Sequence, residues 1–209
     1  MTGSVGGCQI SPSRRYLSTA ESTWSLMSFE TMKLFFAMGA IVANLLTVAL
    51  IVLGVAGRNK DESPFEFLRG MTLWLAGGVA IAATLGSLYL SEIVHLIPCK
   101  LCWYQRIAMY PLAILLPVAA WRRDNGFRLY AAVLAVLGLG VAIWHRLMQA
   151  YPSLDSGACA AVGPPCSAPY IMEFGFVTIP YMAISSISLI LALLWANRVN
   201  STLTVATSA

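Results

Sequence analysis

The chain has 209 residues, of which 58% are hydrophobic and 11% charged, with a mean hydropathy of +0.74. A soluble domain carries charge on about 25% of its residues, so these values exclude one and indicate an integral membrane protein. The net charge of +4 is largely what cytoplasmic loops of such a protein contribute, and it suggests no nucleic-acid role.

Met1 to Lys33 is rich in Ser, Thr and Gly, carries Cys8, Arg14 and Arg15, and has no sustained hydrophobic period. Residues 1–33 are expected to form a disordered tail. A start at Met27 or Met32 would remove Cys8 from the mature chain. Residues 34–56 carry no charge and exceed the roughly 7 to 15 apolar residues of a signal-peptide core. They read as a retained transmembrane helix. A helix needs about 20 apolar residues to cross the hydrocarbon, and further spans are expected near 71–91, 106–121, 128–149 and 174–196.

Short cytoplasmic loops retain Lys and Arg. Arg58, Lys60 and Arg69 fill the first loop, Arg122, Arg123 and Arg128 the third, and Arg198 follows the last span. These regions are assigned to the cytoplasm. The alternate loops, 92–105 and 150–173, hold Cys99, Cys102, Cys159 and Cys166 and fall outside the cytoplasmic membrane. Five spans also put the N-terminal tail outside, despite Arg14, Arg15 and Lys33. If 34–56 did not cross, the tail would lie inside and neither cysteine loop would move.

Outside that membrane, paired thiols read as disulfides before metal sites. A four-thiolate zinc site and two purely structural staples are the competing readings. A C-x-x-C bridge closes so small a ring that it adds little stability, which argues against a staple at Cys99 and Cys102. Such a pair also lowers thiol pKa values, and a helix starting near Cys102 would lower them further. Arg106 follows Cys102 by one helical turn, where a guanidinium favours the thiolate. An Arg in a span costs about 2.5 to 3.5 kcal/mol on insertion scales.

The run Cys99-Lys100-Leu101-Cys102-Trp103-Tyr104-Gln105-Arg106 resembles the signature of the DsbB family of disulfide-bond formation proteins. Trp144 to Pro152 resembles the end of that family's third core helix, and Gly175 to Pro180 the start of its fourth. The closely spaced second pair, with Pro164 and Pro165 inside it, is similar to the shorter BdbC-type members. The fold expected is all-α and polytopic: a four-helix catalytic bundle over 70–197, one additional N-terminal transmembrane helix at 34–56, and a tail at 198–209.

The resemblance implies a thiol:quinone oxidoreductase. It would reoxidise a soluble DsbA-like, thioredoxin-fold oxidase outside the membrane and pass electrons to ubiquinone or menaquinone. By the same resemblance Cys159 forms the mixed disulfide with the partner, Cys166 exchanges with Cys99, and Cys102 contacts the quinone. Arg106 would stabilise developing charge there, and His145 would serve at the quinone as a proton donor or relay. His95 lacks that support and reads as solvated, as do Glu92 and Glu173. Pro111, Pro117 and Pro180 are expected to kink helices, and Gly77, Gly78 and Gly86 to permit close packing.

Two other classes remain. A family similar to vitamin K epoxide reductase also joins a helix bundle, a C-x-x-C and a loop pair, but its loop pair precedes the C-x-x-C. A membrane scaffold with stapled loops would be no enzyme, and its bridges would resist mild reductants.

Overall fold

The computed structural model describes the backbone of residues 23–56, 70–124, 126–154 and 164–207, with side-chain surroundings for 30–56, 70–124, 126–153 and 164–196. Cys8, Arg14, Arg15, Arg58, Lys60, Arg69 and Cys159 lie outside the described residues. The elements are α1 (Thr23–Ala56), α2 (Thr72–Leu88), α3 (Lys100–Trp121), α4 (Phe127–Ala150) and α5 (Ile179–Thr207). All five are long and apolar enough to cross a membrane, so the chain is an all-α, multi-pass membrane protein.

Helices α2 to α5 share one core. Leu73, Ala76 and Ala80 of α2 meet Leu112 and Leu116 of α3, Ala131, Ala135 and Ala142 of α4, and Ile187, Ile190 and Leu193 of α5. Hydrocarbon gives apolar surfaces no hydrophobic reason to associate, so such bundles depend on close packing through small residues. A Cβ on Gly77 would stand 2.9 Å from the Pro117 ring, and one on Gly138 2.8 Å from the Ala108 Cβ. Gly77 and Gly138 therefore set the α2–α3 and α4–α3 approach. Gly78, expected to do the same, faces open space.

Helix α1 adds little to the buried interior: Ala37 and Ala40 are buried, and Ala43 and Leu50 pack against the edge of the α2–α5 core. Its apolar surface is mostly outward, with Phe35 at 70% and Leu45 at 65% exposure. That is the surface of a helix facing lipid. It runs beside α5, and its N-terminal end lies at the dithiol end of the bundle, where Lys33 Nζ is 3.2 Å from Glu173. Glu173 is thus ion-paired instead of merely solvated.

Several boundaries differ from the sequence reading. α1 reaches back to Thr23 through part of the expected tail, aided by a Glu30–Lys33 pair at 2.8 Å one turn apart. α5 continues to Thr207, through the segment read as a C-terminal tail. α3 begins at Lys100, because Cys99, extended at φ −71 and ψ 171, is its N-cap. α5 begins only at Ile179, because Phe174 and Gly175 have positive φ and a Glu173–Val177 bridge closes a turn before it. Pro180 consequently occupies the first turn, where a missing N–H costs nothing, and does not kink a helix. Pro111 and Pro117 lie inside α3.

The end of α3 is closed by backbone hydrogen bonds, and Asp124 Oδ1 accepts from Gly126 N at 2.9 Å just beyond it. Arg123 N donates to Ala120 O at 3.2 Å and Asp124 N to Ala119 O at 2.9 Å, a Schellman pattern with Arg123 at φ 54 in the position glycine usually takes. Arg122 and Arg123 are exposed at the end of the bundle opposite Cys99.

Candidate active site

The end of α2 is not α-helical. Tyr89–Ile93 winds as a π-turn, which disturbs the regular carbonyl ladder just before it. Two side chains supply donors there. Ser91 Oγ reaches Leu88 O at 3.2 Å, and Arg106 Nη2 reaches Ser87 O at 3.0 Å. Arg106 Nε also donates to Ser87 Oγ at 3.0 Å, and its guanidinium lies 5.3 Å from the Trp103 ring centre. These contacts fix the cation laterally between α2 and α3. Its hydrogen bonds go to α2, so its action on Cys102 is through space.

Cys99 and Cys102 bracket the start of α3 with their Sγ atoms 3.1 Å apart, unbonded. Cys99 is buried and Cys102 half-buried. The Cys99 thiol is pushed up to about 11, first by its hydrogen bond with Cys102 and then by burial, with His145 acting the other way. At Cys99 alone this departs from the lowering expected of both thiols of a C-x-x-C, because its Sγ holds the proton that Cys102 Sγ accepts.

His145, on α4, is buried. Its Nε2 stands 3.6 Å from Cys99 Sγ and its Nδ1 3.0 Å from Gln105 Nε2. With the amide N–H donating to Nδ1, a neutral ring carries its proton on Nε2, facing the sulfur. Rotation of the Gln105 amide would present its oxygen, move the ring proton to Nδ1 and leave Nε2 able to accept. The two sulfurs and the ring nitrogen lie within 4.8 Å of one another, which is also a donor set for a thiophilic ion.

A cavity of about 430 Å³ adjoins the dithiol. Cys102, Gln105, Arg106, Met109 and Tyr110 line it from α3, the spacing of a single helical face. Ser87 and Ser91 border the same polar end, and α1, α2 and α5 provide apolar walls. His145 is not on the cavity wall; it stands behind the dithiol, against Cys99.

Cys166 approaches from the loop before α5. The Tyr170 hydroxyl is pushed up by partial burial and then by charge on Cys99, Cys102 and Cys166, so all three sulfurs lie near enough to act on it through space. The structure therefore brings Cys99, Cys102, Cys166, Arg106 and His145 to one end of the bundle. Ser87, Gln105 and Tyr170 were not singled out from sequence. Gln105 had a signal, a polar side chain within an apolar span; Ser87 had none, because its role depends on the π-turn.

Fold and site together define a class: a multi-pass membrane protein with a vicinal dithiol at a helix N-terminus, backed by a buried imidazole and opening on an apolar cavity. The family model described as disulfide bond formation protein DsbB matches residues 69–196, and the chain belongs to that family. It is similar to disulfide bond formation protein C of Bacillus subtilis (strain 168), 44% identical over 119 residues, covering 57% of this chain and 86% of that one. A probable disulfide formation protein of Coxiella burnetii (strain CbuK_Q154) is 44% identical over 119 residues, 56% and 81% of the two chains. Probable disulfide formation protein C 1 of Bacillus anthracis is 41% identical over 128 residues, 61% and 87%. No solved structure matches the chain. The protein is a membrane thiol–disulfide oxidoreductase of the disulfide-forming kind.

Proposed function

We propose that the protein reoxidises a soluble, DsbA-like thioredoxin-fold dithiol oxidase outside the cytoplasmic membrane and delivers the electrons to a membrane quinone, ubiquinone or menaquinone. The observation that carries this reading is the stripe Cys102, Gln105 and Arg106 at the polar end of an otherwise apolar cavity. Its volume of about 430 Å³ lies within the roughly 300 to 1,000 Å³ of small-molecule sites. A polar head with two carbonyl oxygens and an apolar tail suits that division of the lining.

The partner's thiolate attacks the Cys159–Cys166 disulfide at Cys159, forming a mixed disulfide and releasing Cys166 as thiolate. The partner's second thiol resolves that bond and leaves oxidised. Cys166 then attacks Cys99 of an oxidised Cys99–Cys102 pair, and Cys102 departs as thiolate. Cys159 next displaces Cys99 from Cys166, so the loop disulfide re-forms and both electrons rest on the Cys99–Cys102 dithiol. When bound, the quinone supplies the two-electron sink and leaves as quinol with two protons.

Within that sequence Arg106 holds positive charge where negative charge accumulates, and Ser87 keeps it oriented. His145 and Gln105 move the Cys99 proton as the pair is oxidised, which makes His145 a proton relay and not a direct quinone ligand. The cysteine end of the bundle faces away from the cytoplasm, and Arg122, Arg123 and Arg128 face it.

The test is anaerobic mixing of the oxidised protein with a reduced thioredoxin-fold donor and a water-soluble quinone analogue, following quinone absorbance. Consumption that vanishes in Cys102→Ala and slows about a hundredfold in Arg106→Ala supports the route. Failure of the wild type with several donors and both quinone types overturns it.

A further inference from the structure

One wall of the cavity belongs to no part of the family match. The match begins at residue 69, yet Phe36, Gly39, Ala40, Ala43 and Leu46 of α1, with Phe35 and Val42 at one edge, line the cavity that Arg106 borders. Their spacing is that of one helical face, and its three small residues leave room where bulky ones would fill it. Met38 and Leu45, off that stripe, are 52% and 65% exposed and are not among the lining residues.

Three contacts hold α1 in register over the cavity. At the dithiol end Lys33 pairs with Glu173. One turn deeper, Phe36 lies against Tyr89 with ring centres 6.2 Å apart, and over Gly86, where a Cβ would stand 2.9 Å from its Cε1. Further in, Asn44 Nδ2 donates to the Tyr181 hydroxyl at 2.8 Å. A polar pair at that depth fixes both rotation and depth of a helix that apolar contact alone would leave free to slide in lipid. The helix is thus positioned with its small-residue face toward the cavity, although most of its large apolar side chains are exposed.

At 1.5 Å per residue, Ala43 lies about 10 Å deeper than Phe36. Phe36 stands level with Gly86 and Tyr89, beside the Ser87 that anchors Arg106. We infer that α1 is a binding element: its Phe36–Leu46 face encloses the first isoprenoid units of the quinone tail and makes turnover depend on that tail. This rests on the quinone reading above.

The test compares a tailless quinone with one carrying several isoprenoid units, using wild type, Ala43→Trp and Leu45→Trp. Filling the face with Ala43→Trp should raise KM for the tailed quinone about tenfold or more. KM for the tailless one should stay within about twofold, and Leu45→Trp should change neither. Binding is read independently with a tailed quinone carrying a diazirine in its second isoprenoid unit. The label should fall on the peptide containing residues 34–46 and be lost in Ala43→Trp. If Ala43→Trp does not purify as a folded, monodisperse protein, Ala43→Leu takes its place. Equal KM shifts for both quinones, no shift for either, or labelling only of α2 to α5 overturns the inference while Cys102-dependent reduction leaves the quinone reading intact. No Cys102-dependent reduction of any quinone overturns both.

Discussion

Cys99 shows how position within a short motif divides labour between chemically identical groups. It caps α3 in extended conformation and is buried against His145, whereas Cys102 sits in the first turn and reaches the cavity. The hydrogen bond with Cys102 is the largest cause holding the Cys99 thiol up at about 11 from an ordinary 9.0. Its protonated form is therefore the one the fold favours, and the stability this adds to the reduced protein is lost as pH climbs from about 9 toward 11. Alkylation of Cys99 in the reduced protein, followed by mass spectrometry, should rise with a midpoint near 11 and shift down toward 9 in Cys102→Ala. An unshifted midpoint in that variant would mean that burial, not the neighbouring sulfur, dominates. The neighbours of Cys99 were only partly legible from sequence. The C-x-x-C and Arg106 declare themselves by type and spacing, and His145 by a motif resemblance. The Gln105–His145 contact spans α3 and α4, and local spacing carries no information about which faces of two helices meet.

At the scale of elements, the spans were legible because apolar length is a one-dimensional property and the hydrocarbon fixes how much is needed. Their ends were not. The expected start of α3 near 106 and of α5 near 174 followed hydropathy, while the chain starts α3 at Lys100 with Lys100, Gln105 and Arg106 in its first two turns and delays α5 to Ile179 behind a turn with two positive-φ residues. Hydropathy likewise gave no sign of the π-turn at Tyr89–Ile93. Helix contacts depend on single small residues, and that makes a sharp comparison. Gly138→Ala would drive a methyl against Ala108, where a Cβ has only 2.8 Å, and should destabilise by about 1 to 3 kcal/mol. Gly140, with nothing within 4 Å, should tolerate Ala or gain up to about 1 kcal/mol from helix propensity. Unfolding in mixed detergent micelles measures both; equal effects would contradict the packing assignment of Gly138.

For the whole molecule, five helices place the start of α1 at the same end as the dithiol, and the Lys33–Glu173 pair joins the two. The charge pattern alone left the N-terminal tail in conflict, since Arg14, Arg15 and Lys33 argue against an outside location. In the folded protein the pairs with Glu30 and Glu173 keep Lys33 at the dithiol end, while Arg122, Arg123 and Arg128 lie at the other. A reporter active only outside the cytoplasm should therefore be active when fused at residue 165 and inactive at residue 125. Activity at both positions, or the reverse pattern, would contradict the proposed orientation.

The central claim is that the Cys99–Cys102 dithiol gives its electrons directly to an acceptor in the adjoining cavity. The most direct measurement is to mix fully reduced protein with quinone under anaerobic conditions and quench with acid. Quinol is then counted against the Cys99–Cys102 disulfide by mass spectrometry. The account predicts one quinol for each Cys99–Cys102 disulfide when Cys159 and Cys166 are both replaced by Ala, and, in the wild type, one quinol for each disulfide formed in either pair. Quinol formation that requires Cys159 or Cys166, or disulfide formation without quinol, would contradict it.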